Sequence, residues 1–464
     1  MQSVFLAAAS ALTLAACASG PNYQVKPMTA AASAPFVAAA GADVSSAQPA
    51  GDWWRLYQDP VLDALVADAL AANSDIRVAA ARLARARALL RETRGAREPQ
   101  VGLSGSGQYG RLPGAAIPGE GRNDVQADVG LDVAYELDLF GRVSRGIEAS
   151  RGDVGAAAAD ADAVRLAIVA DTARAYADAV SSAERIAVAQ QIVALLDKSL
   201  ALTERRHEVG LANGLDIARI AALRDQRRAE VPLLEAQRQG ALFRLATLTG
   251  RAPRDLPVQA SARRSTLRLD HIIPVGDGAT LLARRPDVRA AERRLAAATA
   301  RIGVATADLY PRISLGGSVG SRGPGLGNIF SANPLTWLIG PLINWTANRS
   351  AARARIAGAQ ADTQGALAAF DGTVLQALEE TETALSTYGN SIARRAALQA
   401  AREQAEAAAR ITRARQREGQ IDSLELLDAE RTAADAQAAL AAADAQIVAA
   451  QLDLFRSLGG SWSS

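Results

Sequence analysis

From Val125 the odd positions read Val125, Ala127, Val129, Leu131, Val133, Tyr135, Leu137 and Leu139. The even positions between them read Gln126, Asp128, Gly130, Asp132, Ala134, Glu136 and Asp138. Strict alternation over about 15 residues predicts a strand with one apolar and one acidic face. Upstream, "VGLSGSGQYG" predicts its partner, and the Gly- and Pro-rich "RLPGAAIPGEGRN" predicts the loop between them. This first hairpin takes 99–141. On either side the period is helical. Leu62, Leu65, Val66 and Ala69 keep helical spacing from a start at Asp59 or Pro60, and the pattern predicts one helix over 59–98, stopped by Pro99. From Arg142 to Val209 there is no proline. A helix of about 68 residues rises roughly 100 Å, far more than an ordinary globular helix. Gly210 halts it. A return helix follows from about Leu215 to Thr249, kinked at Pro232 and stopped by Gly250. Residues 142–250 are therefore a long helical hairpin, and 251–279 read as a linker.

The second half repeats the first. "DIRVAAARLARARALLRETRGAREPQVGLSGS" begins at Asp75 and "DVRAAERRLAAATARIGVATADLYPRISLGGS" at Asp287, an ungapped offset of 212 that pairs Arg77 with Arg289, Leu83 with Leu295 and Pro99 with Pro311. Further on, an offset of 209 pairs Gly210 with Gly419, Leu215 with Leu424, Asp216 with Glu425 and Gly250 with Gly459. This is an internal duplication. Its second copy comprises a helix over 280–310, a hairpin over 311–346, a long helical hairpin over 347–459 and a tail over 460–464. The last strand sets Leu335, Trp337, Ile339, Ile343 and Trp345 on one face. In the following helix Leu367, Phe370, Val374, Leu378, Leu385, Tyr388 and Ile392 keep coiled-coil spacing. Each unit thus runs helix, β-hairpin, very long helix, turn, return helix, in a mainly α chain with a β portion. The hairpins fit either a soluble sheet or a transmembrane β-barrel. Four strands cannot close a barrel, and open sheet edges are forbidden in lipid, so embedded strands would have to be shared by several chains.

Composition sharpens this picture. The chain has 464 residues, enough by length for two or three domains. Apolar residues make up 49% but aromatics only 4%, which suits long, closely packed, alanine-rich helices. A net charge of +2 points to no nucleic-acid partner. His207 and His271 lie far apart without metal-ligand spacing, and there is no P-loop, nucleophile elbow or paired Cys/His set. The expectation is no enzyme, no cofactor and no metal, with His207 serving a surface or capping role beside the Gly210 turn.

At the start, "FLAAASALTLAACA" is too short to span a bilayer as a helix and reads as a secretory signal over 1–16. It closes on "LAAC", Leu14 to Cys17, which resembles a bacterial lipoprotein cleavage box and implies a lipidated Cys17; the bland alternative is an ordinary signal with an incidental cysteine. Cys17 is the only cysteine in the chain, so no intramolecular disulfide can form. Met1 and Gln2 supply no basic n-region, which leaves open a start upstream. Ala18 and Ser19, with no Asp after the Cys, fit an outer-membrane address. Residues 17–58, rich in Ala, Pro, Ser and Gly in their first part, are expected to form an extended lipidated tether.

"WWRLYQDPVLDALVADALAANSDI" (53–76), "YELDLFGR" (135–142), "LLARRPDVRAAERRLAAATARIGVATADLYPRISL" (281–315) and the paired turns "GLANGLD" and "GQIDSLELLDA" resemble the TolC-like outer-membrane efflux factors. "RRPDV" and the lipobox point to their lipidated, NodT-type branch. The resemblance covers nearly the whole mature chain. It implies a homotrimer, with twelve strands forming one outer-membrane β-barrel and the helices one periplasmic α-barrel. It also implies outer-membrane lipid around the barrel, a periplasmic adaptor, and an inner-membrane RND-type transporter that delivers small molecules. The duct of a type I protein-secretion system is the alternative reading; a lipid-anchored coiled-coil rod is a remote one, since it needs no amphipathic hairpins. In this family the helix turns at the periplasmic tip close the channel, with acidic residues pointing into the aperture. Carried over by motif, the aperture residues are Asp216, Glu425 and Asp428 on turns formed by Gly210 and Gly419, with Leu424 and Leu427 packing neighbouring helices. The barrel-lumen acids are Asp128, Asp132 and Glu136. Glu425 stands where TolC has an aspartate. Ile421 stands where TolC has an arginine that helps lock the closed tip, so that salt bridge has no counterpart here. Arg219 occupies the first-turn position matching Asp428, so the two turns are not equivalent. For all three acids the competing role is helix capping and dipole matching.

Overall fold

The computed structural model describes residues 19–460 except 26–28, 42, 49–50, 114–120, 270, 325–334, 347 and 422. Cys17, the signal segment and most of the C-terminal tail lie outside them. The main elements are β1 (Val44–Ser45), α1 (Pro60–Ala72), α2 (Ser74–Gly95), β2 (Gln100–Pro113), β3 (Gly121–Leu137), α3 (Arg142–Glu208) and α4 (Gly214–Leu248). They continue with β4 (Ile273–Pro274), α5 (Gly278–Arg284), α6 (Pro286–Ala307), β5 (Arg312–Pro324), β6 (Leu335–Asn344), α7 (Arg349–Arg417) and α8 (Ser423–Ser457). The chain forms two compact units.

One unit combines the first residues with Arg82–Ala158 and Ala290–Asp371. It holds a four-stranded antiparallel sheet in the order β2-β3-β5-β6. The register carries an apolar row across all four strands: Leu103 opposite Leu131, Leu131 opposite Val319, Val319 opposite Trp337. All four side chains are exposed. The alternating residues Gly102, Asp132, Ser318 and Leu338 form the row on the opposite face. That face is therefore acidic on β3 but apolar on β6. Below the sheet, Leu90, Val143 and Ile147 make a small core.

The other unit combines Pro27–Ala81, Ala159–Arg289 and Gly372–Ser464. Its core gathers Tyr176, Leu245, Leu385 and the stacked rings of Trp53 and Phe455, whose centroids lie 4.9 Å apart. The expected tether is corrected here. Phe36, Trp53, Trp54 and Tyr57 are buried, two short 3-10 turns form at Val37–Gly41 and Trp53–Tyr57, and β1 pairs in parallel with β4. The flexible composition upstream of Asp52 hid four aromatic anchors, each worth about 2–3 kcal/mol of burial. The Glu382 carboxylate accepts the backbone N–H groups of Val37 and Ala38, both at 2.8 Å, fixing the segment to α7. The 251–279 stretch is likewise not a bare linker, since it supplies β4 and the first residues of α5.

The helices expected over 59–98 and 280–310 are each broken in two. At Asn73 the backbone turns extended, its N–H ending α1 on Ala69 while its side chain accepts the N–H groups of Asp75 and Ile76 to start α2. At Arg285 the backbone is extended again, as Pro286 at the first position of α6 requires. The two breaks lie 212 residues apart, the spacing of the duplication. α3 and α7 have 67 and 69 residues, and α4 and α8 have 35 each. α4 runs through Pro232 as one helix. Of the coiled-coil anchors on α7, Phe370, Val374, Leu385 and Tyr388 are buried, whereas Leu367 is exposed. Near the far end, Ala405, Ala409 and Ala433 pack α7 directly on α8.

Candidate functional site

The two turns that join the long helices to their return helices share one backbone design. After α3, Gly210 takes φ +74°, its N–H bonding to His207 O at 2.9 Å and the next N–H, of Leu211, to Arg206 O at 2.7 Å. After α7, Gly419 takes φ +71°, its N–H bonding to Gln416 O at 3.0 Å and that of Gln420 to Arg415 O at 2.9 Å. Both are Schellman caps, which need a residue without Cβ at the left-handed position. His207 Nδ1 lies 2.8 Å from Ala212 O, tying the first turn together as a cap.

Asp216 belongs to a capping box. Asn213 caps α4 by accepting the Asp216 N–H at 2.9 Å, and the Asp216 carboxylate accepts the Asn213 N–H at 3.3 Å. Its charge holds the turn. Glu425 and Asp428 lie on exposed positions of the first two turns of α8, one helical step apart, and Asp428 has Arg431 at 3.9 Å. Arg219 is exposed at the position equivalent to Asp428. Leu427 packs against the cluster of Ile192, Leu196 and Leu223, as expected. Leu424 does not; it is 52% exposed, and Leu426, at 2%, is the buried member of that turn.

Behind the turns lies a polar joint that periodicity did not reveal. Arg206 Nη1 donates to Gln416 O at 3.0 Å, linking the ends of α3 and α7. Glu430 is buried, and its Oε1 accepts from Ser199 Oγ at 2.6 Å and Arg413 Nε at 3.1 Å. Thr203, also buried, donates back to Ser199 O at 3.0 Å. Farther along, Arg227 of α4 pairs with Asp435 of α8. Glu430 is two residues past Asp428, off the helical face of Glu425 and Asp428, so the acid spacing gave no signal for it. Nor could it give Ser199, more than 200 positions away.

At the sheet, Asp132 accepts from Ser104 Oγ at 3.0 Å. Asp128 shares its face, two positions along the alternation, and is half-buried. Glu136 is committed elsewhere: Arg142 forks onto both its oxygens, at 2.8 and 2.5 Å, at the start of α3. Asp138 next to it accepts the N–H groups of Val143 and Ser144 at 2.9 and 2.7 Å, capping the same helix. Among the described residues no cluster of His, Cys, Asp and Glu is arranged to hold a metal ion.

Comparison with known proteins places these features. The family model described as outer membrane efflux protein matches residues 65–251 and 279–460, one segment per repeat. The chain is 32% identical over 458 residues to outer membrane protein OprJ of Pseudomonas aeruginosa, spanning 97% of this chain and 94% of that one. It is 31% identical over 475 residues to the probable efflux pump outer membrane protein TtgC of Pseudomonas putida, spanning 99% and 96%. The solved structure of the outer-membrane channel OprN superposes with a TM-score of 0.91 at 38% identity, covering 96% of this chain and all of that one. With both repeats matched along their length, the chain belongs to the outer membrane efflux protein family and is an outer-membrane efflux channel with a periplasmic helical extension.

Proposed function

We propose that three copies of this chain close one duct, a twelve-stranded barrel in the outer membrane continued by a barrel of their long helices. One observation carries this reading. The sheet has only four strands, and its outer edges, on β2 and β6, have no strand partner among the described residues, while an apolar row crosses its whole width. Such edges are tolerable in lipid only if neighbouring copies pair with them. Three is the number that the family resemblance supplies.

As an efflux-pump outer-membrane protein the chain works with a periplasmic adaptor and an inner-membrane transporter. The transporter is proposed to be of the RND type and the cargo small molecules, and Cys17 is proposed to carry the lipid of an outer-membrane lipoprotein. Glu425 and Asp428 are the proposed aperture residues. Three copies of each would ring a narrow opening with carboxylates, which favours cations and attracts basic groups on a docking partner. Asp216 adds charge to that ring while capping α4. Asp128 and Asp132 are proposed to face the barrel lumen; Glu136, held by Arg142, anchors strand to helix instead.

Single-channel recording tests the aperture. Replacing Glu425 and Asp428 together by Ala is expected to lower cation selectivity and change unit conductance. Unchanged selectivity and conductance would leave these acids with the capping role alone.

A further inference from the structure

We propose that Arg349 and Arg353, beside Trp345 at the end of β6, form a site for the phosphate of an anionic phospholipid in the periplasmic leaflet of the outer membrane. The charge of the second hairpin points there. From Leu309 to Ala361 the sequence holds five arginines (Arg312, Arg322, Arg349, Arg353 and Arg355) and neither Asp nor Glu. Asp308, just before this stretch, is taken by Arg312 at 2.7 Å and Arg355 at 3.4 Å. Arg349 and Arg353 are exposed, and among the described residues neither has a carboxylate partner. They stand four residues apart at the start of α7, hence on one face and about 6 Å apart along its axis. Asn348 caps α7 by accepting the Ser350 N–H at 3.1 Å, and no acid in the first turn answers the positive end of the helix. The first hairpin neutralises its own junction: Glu136 holds Arg142, and Asp138 caps α3.

Two tryptophans set the level of the site. Trp337 lies in the apolar row that crosses the sheet, and Trp345 follows eight residues later, at the same parity. Both are exposed, as are Ile339 and Ile343 between them. Eight extended residues span roughly 27 Å, or about 20 Å across the membrane at a barrel tilt of about 40°. That is close to the height of the apolar band of an outer-membrane barrel, roughly 25 Å, whose two rims carry aromatic rings. α7 belongs to the periplasmic extension, so Trp345 marks the periplasmic rim.

The Trp345 ring is fixed there. Its Nε1 donates to Leu309 O at 3.2 Å, and the Arg349 guanidinium carbon stands 5.5 Å from its centroid. The stack holds Arg349 level with the lipid headgroups, and Arg353 stands one turn deeper. A guanidinium offers a phosphate two parallel N–H donors. Two such groups without carboxylate partners favour a headgroup of net negative charge over a zwitterionic one. From the proposed barrel this site takes only that the Trp337 row faces lipid.

The test uses the full chain, purified and delipidated in a neutral detergent. Native mass spectrometry follows the binding of phosphatidylglycerol and of phosphatidylcholine with the same acyl chains. Phosphatidylglycerol is expected to bind the parent about ten-fold more tightly than phosphatidylcholine. The double variant Arg349→Gln, Arg353→Gln should lose that preference, and Trp345→Leu, which keeps both arginines, should weaken phosphatidylglycerol binding about three-fold. If the double variant does not fold, Arg353→Gln alone, at an exposed helical position, should lower the preference about three-fold. A parent without the preference, or arginine variants that keep it in full, overturns the site. Displacement of the lipid by inorganic phosphate would make free phosphate the occupant and overturns the lipid assignment. A trimeric, conducting protein without the preference overturns the site and leaves the barrel standing.

Discussion

Arg285 donates from Nη1 to the backbone carbonyl of Ser457 at 3.0 Å, closing the end of α8 onto the break between α5 and α6. The first repeat makes the same joint with different chemistry: Asn73 Nδ2 donates to Leu248 O, also at 3.0 Å. The donors lie 212 residues apart and the acceptors 209, the two offsets of the duplication. Only the second joint is charged, with Arg285 also paired to Asp287 at 2.6 Å and Glu380 at 2.7 Å.

Arg285→Ala is expected to lower stability by about 2 kcal/mol, since a 7% exposed guanidinium leaves three acceptors behind while the two carboxylates remain partly solvated. Arg285→Lys should recover less than half of this, because an ammonium cannot reproduce the fork. Urea unfolding in detergent measures both. A loss below about 0.5 kcal/mol for Arg285→Ala would show that the joint contributes little.

Acid should weaken the same joint. Burial pushes the Asp287 carboxyl up, but hydrogen bonding and the charge of Arg285 outweigh it and hold the carboxyl below the usual range. A depressed carboxylate stabilises the fold above its unfolded value, near pH 4, and that contribution is lost as pH falls through the folded value. Between about pH 5 and pH 3 the parent should therefore lose stability more steeply than Asp287→Asn. Parallel melting-temperature profiles would contradict this.

Alanine at Gly210 or Gly419 should cost about 1 kcal/mol each, purely from the left-handed backbone, because nothing lies within 4 Å of a Cβ at either position. Alanine at Gly250 should cost more, since its Cβ would stand 2.7 Å from Ala72 O. Thermal unfolding of the three variants gives the order directly; equal losses would remove the steric distinction.

Glu430→Ala removes the acceptor shared by Ser199 and Arg413 and should loosen the tips by about 2 kcal/mol. Amide exchange near the ends of α3, α7 and α8 should then accelerate about 30-fold, while exchange around Trp53 and Phe455 stays as in the parent. Uniform acceleration would mean a global effect and no local joint.

Much of the architecture was legible because it rests on local period and on repetition. The alternation at Val125–Leu139 gave β3, the glycines gave the Schellman turns, and the constant offsets gave the duplication. What escaped depends on partners far along the chain. The breaks at Asn73 and Arg285 lie inside continuous helical periodicity and are made where the ends of α4 and α8 dock. Trp53 and Tyr57 adjoin a tether-like composition but find Phe455 and Gln451, each about 400 positions away. At the tips, the offset of 209 makes Asp216 and Glu425 equivalents; Asp216 is spent in a capping box with Asn213, and the position matching Asn213 in the second turn, Asp422, lies outside the described residues.

A barrel closed from four-stranded contributions requires several chains, and three is the number proposed here. Light scattering of the detergent-purified protein measures that number most directly. The expected result is a particle of three chains that conducts ions after insertion into a planar bilayer; a monomer without conductance would contradict it.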